Sequence, residues 1–334
     1  MKRPKVTVVM AVYNGAAYLK PAMDSVLNQT FHDLELLIIN DGSTDESTSI
    51  INSYNDPRIR LLNNGKNKGI AFTRNRGVNE AYGELVATLD CDDIALPERI
   101  ALQYRHMTEN PQLALSGGHA EVIDSNGKPT GEFYKMPFRP HEVGIGLLFR
   151  NVFVNSTVMF RKEAIEELGG YKEMGICDDY ELAFRISKLY PVDNMDKVLV
   201  RYRVHNHNIS SEKEALMQQG EEQIVRYMHQ SLGIPHDGRL LKTHLSFIRS
   251  LPEGPMELMD YFDLFKAFKI GNDIKGVFPK NLLHRAILMR WYEMIRQSGT
   301  KSSLSLFFKK PLFKVAYTTP KMYRKMIKQA LGLT

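Results

Sequence analysis

Short apolar runs alternate with amphipathic segments over the first hundred residues of the chain. Four runs of apolar residues predict buried strands; they are Val6–Val12, Leu34–Ile39, Ile59–Leu62 and Leu85–Leu89. Three intervening segments repeat apolar residues at helical spacing and predict helices; they are Ala17–Leu27, Asp45–Tyr54 with Ser43 or Thr44 as its cap, and Ile70–Ala81. This order predicts an α/β fold whose mostly parallel sheet carries helices on both faces.

The pattern changes near residue 210. Before that point we predict three further strands, near 113–124, 152–160 and 197–204. We also predict three further helices: one that starts near Pro97, one over Glu163–Leu168 and one over Asp178–Leu189. Beyond Ser210 the spacing is helical, in pieces interrupted by Gly and Pro. We therefore predict an α/β domain over residues 1–210 and a mainly α-helical region over residues 211–334.

Polar residues follow the predicted strands, where ligands of such sheets bind. Tyr13 and Asn14 follow the first strand, Asn40 and Asp41 follow the second, and Asp90 follows the fourth. Asp or Asn close to glycine is also typical of ordinary turns, so the first two strand ends remain ambiguous. The fourth strand end differs from them because it concentrates carboxylates.

The segment Asp90-Cys91-Asp92-Asp93 places three carboxylates within four residues. Clustered like charges are unfavourable unless a cation lies among them, and hard oxygen ligands suit Mg²⁺ or Mn²⁺. In an extended segment Asp90 and Asp92 point to one side, whereas Asp93 faces away unless the chain bends. The alternative is a solvated acidic loop before the next helix, and the segment by itself leaves both open.

A second acidic group, Asp178-Asp179-Tyr180-Glu181, begins a predicted helix. Acidic residues stabilise a helix N-terminus through the helix dipole, which is the simpler explanation. The functional alternative is a general base, a carboxylate held near a reacting hydroxyl. Asp179 lies three to four residues before Leu182 and Ala183, so its side chain can lean towards the core.

Two cationic groups lie near these segments. The first contains Lys68, Arg74 and Arg76, and the second contains Arg201, Arg203, His205 and His207. The first group is either a solvated helix face or a clamp for a diphosphate. The second group places two guanidiniums and two imidazoles within seven residues. Such a cluster is compatible with an anion or metal site and equally with a structural role.

The composition is typical of a globular protein, with 43% hydrophobic and 25% charged residues. Two cysteines cannot build a disulfide framework, and no run of about 18 apolar residues predicts a transmembrane helix. The run at Val6–Val12 is short and lacks the cleavage site of a signal peptide, so a buried strand explains it better. We therefore expect a cytoplasmic protein.

Taken together, these segments resemble the family 2 glycosyltransferases of the GT-A fold, a Rossmann-like α/β fold. The similarity covers roughly residues 4–210 and keeps the order of the family's motifs. The matching stretches are Val6–Asn14, Ser25–Thr30, Asp41–Asp45, Asn67–Gly69, Thr73–Asn75, Gly83–Glu84, Leu89–Asp93, Asp178–Leu182 and Tyr202–His205. Each motif alone is weak, but the series is highly specific. The chain departs from the family at Asp178, where Glu is more common, and the resemblance does not extend to residues 211–334.

The resemblance implies a hexosyltransferase-type enzyme that uses a nucleotide-sugar donor, with UDP as the expected nucleotide. It implies that Asp41 accepts a hydrogen bond from the nucleotide base and that Tyr13 stacks on or flanks that base, near the backbone of Ala11. Arg74 would lie near the base and the diphosphate. Arg203 belongs to the segment expected to contact the bound nucleotide.

The resemblance also implies a metal-dependent, inverting mechanism. Asp90, Asp92 and Asp93 would bind the ribose and Mn²⁺ or Mg²⁺, and His205 would complete the metal or diphosphate contacts. Asp179 would be the catalytic base that takes a proton from the acceptor hydroxyl. A single base opposite the leaving group gives inversion at the anomeric carbon.

The acceptor leaves alternatives open. We expect a hydroxyl group of a glycan or lipid-linked glycan, as in polysaccharide or cell-envelope glycan synthesis. A polyprenyl phosphate is the first alternative, but such an anionic acceptor needs no general base, so Asp179 favours a hydroxyl. A non-catalytic nucleotide-binding relative is the second alternative, and the presence of every expected carboxylate disfavours it.

Charge is distributed unevenly along the chain. Residues 1–210 carry 24 Lys and Arg against 27 Asp and Glu, whereas residues 211–334 carry 20 against 11, and no acidic residue follows Glu293. Residues 296–334 interleave nine basic residues with aromatic and aliphatic ones. This mixture predicts either attachment to the anionic inner face of the cell membrane or packing on the catalytic domain or in a homo-oligomer. Nucleic-acid binding is not expected, because a transferase site gives it no role.

Overall fold

The computed structural model describes residues 3–137, 142–205, 214–249, 258–298 and 303–330. Its residues group into two compact units. The N-terminal unit contains Met1–Leu147 and Asn151–Gly220, and the helical unit contains Leu148–Arg150 and Glu221–Thr334. The domain boundary predicted at residue 210 lies outside the described residues, so its position stays a prediction.

Within the described residues, the N-terminal unit is built on one mixed nine-stranded sheet. Its strands are β1 (Val6–Val12), β2 (Leu34–Asn40), β3 (Ile59–Asn63), β4 (Leu85–Thr88), β5 (Ile94–Ala95), β6 (Leu115–Ile123), β7 (Pro129–Tyr134), β8 (Met159–Arg161) and β9 (Val192–Arg203). Their order is β3-β2-β1-β4-β8-β6-β9-β5, with β7 paired to β6. The four strands β1 to β4 are all parallel, as the strand–helix alternation predicts.

The second half of the sheet is mixed in direction. Strand β8 runs antiparallel to β4 and to β6, whereas β6 and β9 run parallel. The strand predicted over 152–160 is wrong, because Asn155–Thr157 forms a 3₁₀ turn and β8 begins only at Met159. The Thr157 hydroxyl donates to the Val154 carbonyl at 2.7 Å, a local bond that favours the turn over a strand. Strands β5 and β7 were not predicted, since β5 has two residues and β7 is exposed along its whole length.

Seven helices of the described chain cover this sheet. They are α1 (Ala16–Leu27), α2 (Ser47–Asn52), α3 (Ile70–Glu80), α4 (Arg99–Glu109), α5 (Val143–Gly146), α6 (Lys162–Glu167) and α7 (Asp178–Leu189). Helix α2 is shorter than predicted, and its cap is Glu46. The predicted caps are wrong because Ser43 and Thr44 instead hydrogen-bond to Asn14 in the neighbouring loop.

The core of the N-terminal unit lies on both faces of strands β1 and β2. Every residue of β2 is buried, as expected for a parallel strand covered by helices on two sides. Helix α1 adds Leu19 and Met23 to this core. Helix α3 approaches β1 so closely that a Cβ on Gly77 would lie 2.3 Å from a methyl carbon of Val9. This close packing holds the strand ends, and the polar residues that follow them, in defined positions.

Among its described residues, the helical unit contains most of α8 and five further helices. The helices are α8 (Glu214–Leu232), α9 (Gly238–Arg249), α10 (Leu258–Lys275), α11 (Lys280–Ser298), α12 (Ser303–Phe307) and α13 (Pro320–Ala330). Aromatic residues such as Phe262, Phe265 and Trp291 form edge-to-face contacts at its centre. In the described part of the chain, every helix is too short or too polar to span a bilayer.

Two stacked histidines lie buried in the helical unit. His229 on α8 and His244 on α9 have ring nitrogens 3.1 Å apart, and Nε2 of His244 lies 2.8 Å from the Leu148 carbonyl oxygen. The two contacts form a chain if each ring is neutral and donates from Nε2. Burial lowers the pKa of His229 to about 4 and that of His244 to about 3. A proton on Nδ1 of His244 would remove the acceptor that His229 uses.

The histidine pair predicts acid sensitivity of the helical unit. The unfolded histidines bind protons below about pH 6.5 and the folded ones only at lower pH, so stability falls as the pH drops below about 6.5. Near pH 5 the loss is on the order of 2 kcal/mol per histidine. We expect His229→Gln to flatten the dependence of urea midpoint on pH between 7 and 5, whereas the exposed His236→Gln should leave it steep. Equal slopes for the two variants would contradict this prediction.

Candidate active site

Two loops at the carboxyl edge of the sheet, after β1 and after β2, are joined by hydrogen bonds. The backbone N–H of Asn14 donates to Ser43 Oγ at 3.0 Å. The side-chain oxygen Oδ1 of Asn14 accepts a hydrogen bond from the backbone N–H of Thr44 at 2.8 Å. Beside this junction Ala11 is half-buried near the end of β1. Tyr13 is 51% exposed, so its ring is accessible to a ligand.

Asp41 is buried at the end of β2 and organises the loop before α3. Its carboxylate accepts the backbone amides of Lys68 at 2.9 Å and Gly69 at 3.0 Å. It also accepts the side-chain amide of Asn64 at 2.7 Å. A carboxylate has about four acceptor positions, so three are used by the protein and one remains for a further donor.

The three carboxylates after β4 have different surroundings. Asp90 is the most exposed, with 36% of its side chain open to solvent. Asp92 Oδ2 lies 3.0 Å from Nε2 of His205. Asp93 is buried and accepts the backbone amide of Arg203 at 2.8 Å. The structure therefore brings Asp90, Asp92 and His205 to the sheet edge and turns Asp93 inward.

Burial and mutual repulsion disfavour the ionised forms of this cluster. The pKa of Asp92 is raised, first by burial and then by the charge of Asp90, and His205 partly offsets the rise. The pKa of Asp93 is raised well above its ordinary value, chiefly by burial and then by Asp92 and Asp90. A cation placed beside these groups would stabilise their ionised forms.

Asp92 and His205 are donors that fit a divalent cation. Carboxylates suit Mg²⁺ and Mn²⁺, and imidazole is the commonest metal ligand of proteins. Across the described ranges, no three His, Cys, Asp or Glu side chains converge into a complete protein cage. Mg²⁺ is usually held by one or two carboxylates together with substrate phosphates, so a two-donor site is sufficient. The assignment of Asp93 as a ligand stays a prediction.

Arg203 lies inside the protein and holds the carboxylate loop. Its Nε donates to the Asp92 carbonyl at 2.8 Å, and its Nη1 donates to the carbonyls of Asp124 and Ser125 at 3.1 and 3.3 Å. Its guanidinium also lies 4.6 Å from the centre of the Tyr18 ring. Contact of Arg203 with a nucleotide stays a prediction. His207 lies outside the described residues.

Arg74 on α3 connects two acidic segments. Its Nη1 lies 2.8 and 2.9 Å from the two carboxylate oxygens of Asp178, and its Nη2 lies 3.6 Å from Oδ1 of Asp90. Burial alone would lower the pKa of this guanidinium, but Asp178 and Asp90 raise it above its ordinary value. Helix α3, the loop after β4 and helix α7 therefore meet at one half-buried cation.

Asp179 follows Asp178 in the first turn of α7 and is half-buried. Its pKa is raised to about 6, chiefly by burial and then by the charge of Asp178. The Asn151 amide nitrogen lies 3.3 Å from its Oδ2, and the side chain borders a small, largely apolar cavity. A carboxyl with this pKa is ionised at neutral pH and is a better proton acceptor than an ordinary aspartate.

Two residues that the sequence analysis missed support the carboxylate loop. Asn155 donates to Asp90 Oδ1 at 2.8 Å from the 3₁₀ turn before β8. Arg99 is buried at the start of α4, where it donates to the Thr88 carbonyl at 2.7 Å, and burial lowers its pKa to about 9. Arg99 interrupts the apolar face of α4 one turn before the buried Gln103, and this break was the available signal.

Two further side chains that were missed support the segment before α7. The Asn75 side chain exchanges two hydrogen bonds with the backbone of Tyr171, at 2.7 and 2.8 Å. Arg185 on α7 donates to the carbonyls of Leu168 and Gly170, at 2.6 and 2.5 Å. The Asn75 bonds span 96 residues and the Arg185 bonds span 17 and 15 residues, longer separations than a helical or strand repeat covers, so no local pattern indicates them.

Comparisons with known proteins identify the family of the chain. The family model for glycosyl transferase family 2 matches residues 7–169. The O-antigen biosynthesis glycosyltransferase WbnJ of Escherichia coli is 34% identical over 221 residues, which cover 63% of this chain and 83% of that protein.

Solved structures show the same fold. S. aureus TarS in complex with UDP-GlcNAc is similar with a TM-score of 0.58 at 17% identity, over 98% of this chain and 90% of that one. The mannosyltransferase PcManGT from Pyrobaculum calidifontis, in complex with GDP-Man and Mn²⁺, is similar with a TM-score of 0.54 at 17% identity, over 100% and 88% of the two chains. The predicted GT-A fold is confirmed by these likenesses. The family 2 model matches residues 7–169, and WbnJ is 34% identical with 83% of its length covered. The chain therefore belongs to the family 2 glycosyltransferases.

Proposed function

We propose that this protein is an inverting glycosyltransferase that moves a sugar from a UDP-sugar to a hydroxyl group of a glycan or lipid-linked glycan. The observation that carries the proposal is Asp179, a half-buried carboxyl whose pKa is raised to about 6 beside the ion pair of half-buried Arg74 and buried Asp178. A role in polysaccharide synthesis is supported by the E. coli relative, which is named for O-antigen biosynthesis.

The donor would bind at the carboxyl edge of β1, β2 and β4. Tyr13 is exposed there and would flank the base, near the backbone of Ala11. Asp41 has one acceptor position left for a donor on the base, and Asp90 is open to solvent for a ribose hydroxyl. UDP is supported by the UDP-GlcNAc bound to S. aureus TarS.

The diphosphate would bind between Arg74 and the pair of Asp92 and His205. Arg74 carries a permanent positive charge, and a diphosphate oxygen could replace Asp90, which lies 3.6 Å from Nη2. Asp92 and His205 would hold Mn²⁺ or Mg²⁺ together with the substrate phosphates, and such an ion neutralises the charge that develops on a diphosphate leaving group. Mn²⁺ in the similar mannosyltransferase structure supports this choice.

Asp179 would act on the acceptor. Its ionised form would accept the proton of the attacking hydroxyl, while the hydroxyl oxygen forms a bond to the anomeric carbon and the bond to the diphosphate breaks. Attack from the face opposite the leaving group inverts the configuration. A polyprenyl phosphate acceptor would need no proton acceptor, so the raised pKa of Asp179 favours a hydroxyl.

The first prediction concerns the base. Asp179→Asn removes the proton acceptor with little change in volume, so turnover should fall by about 10²-fold or more while UDP affinity stays near normal. The wild type should lose activity as the pH falls through about 6, because protonation of Asp179 removes the base. Glu173→Gln, at a nearby exposed carboxylate, should retain the wild-type turnover and pH profile. Loss of donor affinity alone would assign Asp179 to the nucleotide site instead.

The second prediction concerns the metal. Asp92→Ala should lose activity and the enhancement of UDP binding by Mn²⁺, measured by isothermal titration with and without the ion. Asp196→Ala removes a similar aspartate, which lies 3.0 Å from His119 outside the site, and should keep both. Full wild-type activity in excess EDTA would rule out metal dependence.

The third prediction concerns the nucleotide. Asp41→Ala should weaken UDP binding by about 1–3 kcal/mol, the usual contribution of a hydrogen bond to a charged group. It should also lower the melting temperature, because the amides of Lys68 and Gly69 lose their acceptor. Asp45→Ala in the same turn loses only contacts to Ala16 and Ser47, so UDP affinity should persist. Unchanged affinity in Asp41→Ala would reduce Asp41 to a structural residue.

A further inference from the structure

The last described segment of the helical unit, residues 303–330, divides its apolar side chains between two environments. Phe307, Leu312, Met322 and Met326 are buried. The segment is attached to α11, because Trp291 Nε1 donates to the Leu306 carbonyl at 3.2 Å and the rings of Tyr292 and Phe307 lie 5.9 Å apart. The segment is therefore folded onto the helical unit itself. The predicted packing on the catalytic domain or in a homo-oligomer stays a prediction.

Three large apolar side chains of the same segment point to solvent. Phe308 is 48% exposed, Val315 is 67% exposed and Ile327 is 57% exposed. On α13, Met322 and Met326 are buried, whereas Ile327 lies on the open side of the helix. Packing within the unit accounts for only part of the apolar surface of this segment.

Seven exposed cations accompany these three apolar side chains; they are Lys309, Lys310, Lys314, Lys321, Arg324, Lys325 and Lys328. The segment itself contains no acidic residue, and the last one before it, Glu293, pairs with Arg290 at 3.1 Å. Lys309 and Lys314 lie over the rings of Phe262 and Tyr317, and among the described residues neither ammonium group forms an ion pair. Repulsion among these cations is relieved when an anionic surface approaches.

We propose that the seven cations, together with Phe308, Val315 and Ile327, form a docking surface for an anionic membrane leaflet. A soluble polyanion would need only the charges, whereas an interface also accepts apolar side chains at the depth of the headgroups while lysine ammonium groups stay in water. Because the buried methionines of α13 are used by the protein, attachment depends mainly on charge and is reversible. This proposal goes beyond the glycosyl transfer proposed above and does not rest on it.

The test is co-sedimentation of the full-length protein with vesicles of phosphatidylcholine, with and without phosphatidylglycerol. We expect binding to the anionic vesicles at low salt and release at high salt, because screening shortens the reach of surface charges. Replacement of Lys321, Arg324, Lys325 and Lys328 by Gln should weaken this binding at least tenfold, since each cation near such a leaflet contributes about fivefold. A matched control replaces Lys5, Lys20, Lys135 and Lys197, four exposed lysines of the N-terminal unit, by Gln and should bind as the wild type does.

A second pair of variants tests the apolar part. Ile327→Ser should weaken vesicle binding, whereas Ile274→Ser, at the more exposed Ile274 of α10, should not. Unchanged melting curves show that each variant is folded. The proposal is overturned if the wild type ignores anionic vesicles, if the two quadruple variants bind equally, or if high salt leaves binding unchanged. Binding of soluble polyphosphate without binding of vesicles also overturns it and assigns the surface to an anionic polymer.

Discussion

Repulsion between carboxylates is the constraint on which this site depends. Five of them interact near one edge of the sheet, namely Asp90, Asp92, Asp93, Asp178 and Asp179. Arg74 is the cation that makes the arrangement possible, because it binds Asp178 directly and lies close to Asp90. Burial, and after it the remaining repulsion, raises the pKa of Asp92, Asp93 and Asp179. A further positive charge placed at this edge would therefore be stabilising.

Burial and repulsion together give neighbouring carboxylates different properties. Asp178 is buried against Arg74, whereas Asp179, one residue later, borders a largely apolar cavity and has a pKa of about 6. Asp92 is near an imidazole and close to solvent, whereas Asp93 is turned inward to the backbone of β9. Some of these aspartates therefore anchor loops, whereas others are available to a substrate. Because the side chains are identical, their different surroundings cause this difference in role.

Buried arginines hold the loops that carry these carboxylates. Arg99, Arg185 and Arg203 each donate to backbone carbonyls of a segment that ends at the site. A guanidinium suits this task because it offers several donors in a fixed plane and remains charged when buried. Their contacts keep irregular backbone satisfied where neither helix nor sheet can bond it.

The sequence by itself determined what depends on neighbours along the chain. Helical and strand periodicity predicted the order of β1 to β4 and placed the bounds of α7 at Asp178 and Leu189, since these patterns repeat within a few residues. The cluster of carboxylates directly after the fourth predicted strand indicated the edge at which a ligand would bind. The tertiary structure decided what depends on distant partners. Arg74 meets Asp178 across 104 residues, Asp93 and Arg203 turn inward, and the apolar residues of the tail divide between core and surface. Such contacts follow from the order of strands in the sheet and from packing between elements. A local pattern of residues contains no information about either of these.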